Sequence, residues 1–180
     1  MPRYAAFLRA INIGGRRVKN DDLRAACAAA GFDGVDVFRA SGNVVFDAAD
    51  EPVDAVTARL EQGLEKALGY EVVAFVRDAD EIRAIASAEP FPSEAVEASS
   101  GKLQIDFLAQ PPAPDVREQV LALQTDGDRL AWGERELFWL PTGAMMESDL
   151  DLSAIAKLIG PTTRRTKGTV EQIAQKYFAD

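Results

Sequence analysis

The sequence predicts an α+β protein built from two tandem βαββαβ units. Three observations point there. Over residues 4–76, apolar positions recur with strand and helix periods in the order strand, helix, strand, strand, helix, strand. The same order returns over residues 103–167. Between the two runs, Pro90, Pro92 and the polar stretch Ser93 to Gly101 break the periodicity.

The first unit opens on Tyr4 to Ile11, a mostly apolar strand that runs into the loop Asn12-Ile13-Gly14-Gly15-Arg16-Arg17. Asn20 is placed to cap a first helix, in which Leu23, Ala26, Cys27 and Ala30 follow the i, i+3, i+4, i+7 pattern and Gly31 stops it. Val35 to Arg39 reads as a second strand. Ser41-Gly42 then turns tightly into a third, Asn43 to Phe46, since glycine tolerates positive φ and its polar neighbours can bond the backbone. Pro52 starts a second helix with the stripe Val53, Val56, Leu60, Leu64 and Leu68, ended by Gly69. Val72 to Val76 is the fourth strand. This is the split βαβ, or ferredoxin-like, order. The right-handed crossover rule sets the first and third strands side by side at the sheet centre.

A short helix over Asp78 to Ala88 follows, and Ser93 to Gly101 reads as a polar, flexible linker. In the second unit, Leu103, Ile105 and Phe107 alternate as a strand, and Pro114 opens a helix with Val116, Val120 and Leu123 inward. Arg129 to Trp132 and Glu136 to Leu140 form a hairpin through Gly133-Glu134, with Trp132 and Trp139 read as core. Leu150 to Ile159 is a helix, capped through Ser148 and Asp151 and stopped by Gly160-Pro161. Thr162 to Lys167 supplies a short fourth strand. Thr169 with Gln172 has capping-box spacing and starts the last helix. The predicted units are thus 1–77 and 102–180, joined by a linking helix and loop over 78–101. Each has an antiparallel sheet with helices on one face.

Three segments carry a family resemblance: Leu8-Arg9-Ala10-Ile11-Asn12-Ile13-Gly14-Gly15, Ser41-Gly42-Asn43-Val44-Val45-Phe46, and Thr163-Arg164-Arg165 with Thr169-Val170. Together the chain resembles the bacterial domain of unknown function 1697 family. The resemblance implies the double ferredoxin-like fold and no established activity. Ala10 stands where that family commonly has glycine, and Thr166-Lys167-Gly168 where it often has Asn-Trp-Asn. Gly143 to Leu150 replaces a Gly-rich, basic loop.

Composition narrows the chemistry. The 180 residues are 47% hydrophobic and 27% charged, ordinary globular usage. With 20 Lys and Arg against 29 Asp and Glu, the net charge is −9, which disfavours nucleic acid and anionic membranes at long range. There is no histidine, so imidazole triads, ligands and acid–base steps are excluded. Cys27 is the one cysteine; it lies on an apolar stripe and reads as a small buried hydrophobe. We expect a cytosolic chain with no signal peptide, no membrane span and no cofactor.

The most suggestive segment is Asn12 to Lys19. Two glycines let backbone N–H groups approach an anion, and Arg16, Arg17 and Lys19 neutralise it, with Arg9 adjoining. It is not a P-loop, because no Gly-Lys-Ser/Thr closes it. Asp21 and Asp22 already complement the following helix dipole and oppose a phosphate there. The ordinary reading, a solvated βα connection, outweighs anion binding on these residues alone; anion binding is the functional reading carried forward. Arg164, Arg165 and Lys167 form a second basic cluster. RNA recognition through the third strand is disfavoured, because its two stacking positions hold Ser41 and Asn43, which offer no π-face. Glu147, Asp149 and Asp151 read as helix-start acids rather than a metal site.

The expected function is a non-catalytic binding protein holding a phosphate-bearing small molecule. Its anion-binding residues are Arg9, Asn12, Gly14, Gly15, Arg16, Arg17, Lys19, Arg164 and Arg165, with no catalytic or metal-binding residues. The alternatives are a protein–protein interaction module and an enzyme using carboxylates, Arg or Lys, with or without Mg²⁺. Enzymatic activity is left open, the protein partner unassigned, and a monomer expected.

Overall fold

Alternation in the strands decides which face each residue serves. In β1 (Arg3–Arg9), Tyr4, Ala6 and Leu8 point to one side and Ala5 and Phe7 to the other. All five are buried. The computed structural model describes residues 1–12, 14–40 and 42–180. Among them are two four-stranded antiparallel sheets and seven α-helices, a mixed α+β fold. The chain divides into two compact units, Met1–Ala84 with Ile173–Asp180, and Ile85–Gln172.

The first unit contains β1, α1 (Asn20–Ala29), β2 (Asp33–Val37), β3 (Asn43–Asp47), α2 (Val53–Leu68) and β4 (Val73–Asp78). Its strand order is β2-β3-β1-β4, so the first and third strands are central, as the crossover rule predicts. Tyr4 faces Phe46 and Ala6 faces Val44 across β1 and β3. Leu23 and Cys27 of α1 and Val56, Leu60 and Leu64 of α2 cover these residues in one core. The α2 stripe is the one read from the sequence. Phe32 closes the core against Phe46, with ring centroids 4.5 Å apart.

Several local expectations shift. Asn20 does not cap α1: the cap position is Lys19, with no side-chain bond. Asn12 serves the loop instead, its Oδ1 accepting from the Val18 N–H at 2.9 Å. The second strand ends at Val37, so β2 and β3 are joined by five residues rather than a tight turn. Ser41 and Ile13 lie outside the described residues. The stretch read as a flexible linker holds a short helix, α4 (Ser93–Ala98), after α3 (Ala79–Ser87). Pro92 supplies an extended residue at its start, and Glu94 complements its dipole.

The second unit repeats the connection order with β5 (Gln104–Phe107), α5 (Pro114–Leu121), β6 (Asp128–Trp132), β7 (Glu136–Pro141), α6 (Leu152–Ile159) and β8 (Thr163–Thr166), in sheet order β6-β7-β5-β8. Its core joins Val120, Leu130, Leu137, Trp139 and Ile155, with Trp132 packed against it, so both tryptophans are core. Asp151, not Ser148, caps α6: its carboxylate accepts from the Ala154 N–H. Ser148 is spent on Asp128, to which it donates at 2.6 Å. The last helix, α7 (Lys167–Tyr177), starts two residues before the Thr169 box, because the Thr166 hydroxyl accepts from the Thr169 N–H at 3.2 Å. The final residues of α7 belong to the first unit. There the Tyr177 hydroxyl donates to Asp36 at 2.5 Å.

Candidate functional site: a basic groove beside α1 and α2

The loop between β1 and α1 is pinned at several points. Ala10 leaves β1 with φ 62, the left-handed region, where the family resemblance places glycine. Asn12 spends both ends of its amide on structure, donating to Ala40 O at 3.2 Å and accepting from Val18. Tyr70, just after α2, donates to Ile11 O at 3.2 Å. The same ring carries the Arg16 guanidinium, 4.1 Å from its centroid, a contact worth about 0.5–1 kcal/mol at an exposed site. Gly14 and Gly15 take φ 63 and 81 and lie exposed. The loop can therefore turn sharply and still present its cations outward.

Those cations border an open groove of about 600 Å³ along α1 and α2. Arg16, Arg17, Asp22 and Tyr70 line it, over a floor that includes Ala25 and Ala29 of α1 and Ala67 of α2. Small side chains make the groove possible. Nearby, the helices approach so closely that a Cβ on Gly63 would come within 2.3 Å of the Ala30 Cβ. A mid-helix glycine costs about 1 kcal/mol against alanine, and here it permits that contact.

Arg16, Arg17 and Lys19 are exposed, and among the described residues none is held in an ion pair. Arg24, one turn into α1, differs: it pairs with Asp21 at 2.8 Å and Asp36 at 3.1 Å. Arg9 is exposed at the end of β1.

The second basic cluster lies in the other unit, and its side chains are engaged there. Arg164 makes a two-pronged bond to Asp106, at 2.8 and 3.0 Å, and lies 4.7 Å over the Trp139 ring. Arg165 donates to Thr163 Oγ1 and to Arg164 O, both at 2.8 Å, and burial pushes its pKa down to about 10. Lys167 donates to Ala86 O at 2.9 Å and to Glu171 at 2.7 Å.

The acidic residues of that unit are also engaged in part. Burial alone would raise the Asp128 pKa. Hydrogen bonds from Ser148, Thr125 and Trp139 outweigh it and hold the carboxyl below its ordinary value. No group of three or more Cys, Asp or Glu among the described residues is arranged to hold a metal ion. Cys27 is fully buried and its thiol is pushed up to about 12, so it is not a nucleophile at neutral pH. Asn43 is buried and donates to Phe38 O at 3.1 Å, a structural bond rather than a base contact.

Sequence reasoning missed Tyr70 and the alanine floor. Tyr70 lies far from the loop in the chain, and nothing near it signals the contact. The run Ala25-Ala26-Cys27-Ala28-Ala29-Ala30 did carry a signal, since so many small residues leave a helix face shallow.

Comparison with known proteins supports the fold and leaves the activity open. No curated protein matches the chain. Among solved structures, a conserved bacterial protein, SP0830 from Streptococcus pneumoniae, aligns with TM-score 0.73 and 22% identity, over 97% of each chain. At that identity the likeness is one of fold. No helix among the described residues is long and apolar enough to cross a membrane. Residues 1–138 match the model of a protein family of unknown function, DUF1697, a span that includes Met1–Ala84 of the first unit and the groove within it, and the chain belongs to that family.

Proposed function

We propose that the first unit is a binding module whose groove holds a phosphate-bearing small molecule at Arg16 and Arg17. One observation carries this reading: two exposed guanidiniums border a groove of about 600 Å³ with no carboxylate pairing them among the described residues. Small-molecule sites commonly span about 300–1,000 Å³. Stacking on Tyr70 orders Arg16 before a ligand arrives, which reduces the entropy cost of binding. Gly14, Gly15 and Asn12 shape the loop, and Lys19 adds charge. Arg164 and Arg165 belong to the other unit, where Asp106, Thr163 and a backbone carbonyl already engage them. The matching strand orders and connection orders of the two sheets support reading them as duplicated ferredoxin-like units.

Calorimetric titration with phosphate-bearing compounds tests the reading. Affinity is expected to fall as salt rises, because exposed charges are screened. The Arg16→Ala/Arg17→Ala double variant is expected to lose at least about tenfold, since a charge-assisted bond contributes about 1.5–3 kcal/mol. Equal affinity in variant and wild type refutes it.

A protein-interaction surface is the second reading, favoured by exposed large apolar side chains in the other unit. Met146 is 99% exposed, Met145 and Leu152 each 39%, with the exposed acids Glu147, Asp149 and Asp151 among them. A basic peptide with an apolar anchor complements it. Fluorescence titration of such a peptide against wild type and Met146→Ser checks this, and equal binding to both discards it.

A further inference from the structure

We propose that the ligand of this groove is a nucleoside phosphate, with the base lying on the alanine floor. The inference rests on the phosphate reading above and adds the body to which the phosphate is attached. Three features of the groove bear on it.

The first is the floor. Ala25 and Ala29 are four residues apart on α1 and therefore share a face, and Ala67 adds a third methyl from α2. Methyl groups offer no hydrogen bonds. A free phosphate would leave this surface wet, and a sugar would find no partners for its hydroxyls there. A flat ring system covers it and gains by removing it from water.

The second feature is the Arg16–Tyr70 stack. A guanidinium lying over one ring can still meet a second planar group, and planar guanidiniums stack on bases as well as on aromatic side chains. Arg16 is exposed and therefore accessible to such a group.

The third is Asp22. Its carboxylate lines the groove with Arg16 and Arg17 and is exposed. An anion alone is repelled by it. A base edge with N–H donors is held by it, because an ionised carboxylate only accepts. Guanine suits it best, since two adjacent N–H groups meet both carboxylate oxygens. A nucleoside phosphate thus uses the cations, the apolar floor and the acceptor together, and none of the simpler ligands uses all three.

Calorimetric titration with guanosine 5′-monophosphate, ribose 5-phosphate and inorganic phosphate decides the matter. Wild type is expected to bind the nucleotide about tenfold or more tighter than the sugar phosphate, the usual scale of one stacked base. Ala29→Leu, an exposed helix position where the change keeps helix propensity, is expected to erase that preference and leave sugar phosphate binding in place. Asp22→Asn is expected to weaken the nucleotide alone. Equal affinity for nucleotide and sugar phosphate overturns the base assignment while the phosphate reading stands. Binding of the nucleotide that survives Arg16→Ala/Arg17→Ala, or no binding by any of the three, overturns both.

Discussion

The βα connections that open the two units use arginine in opposite ways. After β1, the connection to α1 runs from Ala10 to Lys19 and presents Arg16 and Arg17 outward. After β5, the corresponding connection to α5 is shorter and contains Pro111 and Pro112 with no cation. Arginines come to that loop from elsewhere and hold it. Arg135 donates to Ala109 O at 3.0 Å, and Arg117 to Pro112 O at 3.2 Å. Arg117 also reaches Gly133 O and Glu134 O, at 2.7 and 2.6 Å, and so fastens the β6–β7 hairpin. The second unit thus spends guanidiniums on the carbonyls around this loop, whereas Arg16 and Arg17 in the first unit's loop are exposed and in no ion pair among the described residues. The lesson is that a basic cluster in a sequence is not yet a site; what else the fold asks of those cations decides.

Removing Arg164 is expected to do the most damage. The Arg164–Asp106 pair has the same bond lengths as Arg3–Asp47 in the first unit, 2.8 and 3.0 Å. Burial separates them: the Asp106 side chain is 6% exposed, the Asp47 side chain 22%. Arg164→Ala strands a buried carboxylate and is expected to cost about 3–5 kcal/mol in denaturant unfolding. Arg117→Ala follows, with a loss of about 2 kcal/mol, because three carbonyl acceptors lose a charged donor. Arg3→Ala, its pair more exposed, is expected to cost about 1 kcal/mol or less. Equal losses for Arg3→Ala and Arg164→Ala would break the comparison.

Acid probes both units at once. Asp36 is held below its ordinary pKa by the Tyr177 hydroxyl, against the opposing effect of burial, with help from Arg24, the Val37 N–H and Lys176. Asp128 is likewise held low. A depressed folded-state pKa contributes stability that is full above the unfolded value, about 3.9, and is lost as pH falls through the folded value. Unfolding midpoints measured down to pH 2 are expected to drop below pH 4, and less steeply in Asp128→Asn. A smaller gain is expected from Ala10→Gly. It relieves a left-handed alanine of about 1–2 kcal/mol but adds unfolded-state freedom, so about 0.5–1 kcal/mol of stabilisation remains.

Much of the fold was legible because periodicity is local. The stripe Val56, Leu60, Leu64 and the alternation in β1 and β3 each identify one element without knowledge of the rest. The crossover rule then orders the first sheet. What escaped is non-local. Thr166 outcompetes the Thr169 box because β8 pairs with β5 and delivers its hydroxyl to the helix start. The Arg164–Asp106 pair could not be read from the sequence, because it forms only where β8 pairs with β5 and sets the two residues opposite each other. The loop cations were legible as a cluster. Their groove was not, because it needs α2 laid beside α1 and Tyr70 brought to Arg16.

A small stability change is expected at Arg16 and Arg17, the residues proposed to bind, and a large one at Arg164, and that contrast is the sharpest test. Thermal melting of wild type, Arg16→Ala/Arg17→Ala and Arg164→Ala should be recorded with and without a panel of phosphate-bearing small molecules. The double variant is expected to melt within about 4 °C of wild type, since losing the Arg16–Tyr70 contact costs about 0.5–1 kcal/mol and Arg17 is exposed. Wild type should gain roughly 5–10 °C from a ligand at a hundred times its Kd, and the double variant should lose that gain. Arg164→Ala should melt far lower yet keep it. A ligand-induced gain that is unchanged in the double variant, or lost in Arg164→Ala while that variant remains folded, would contradict the account.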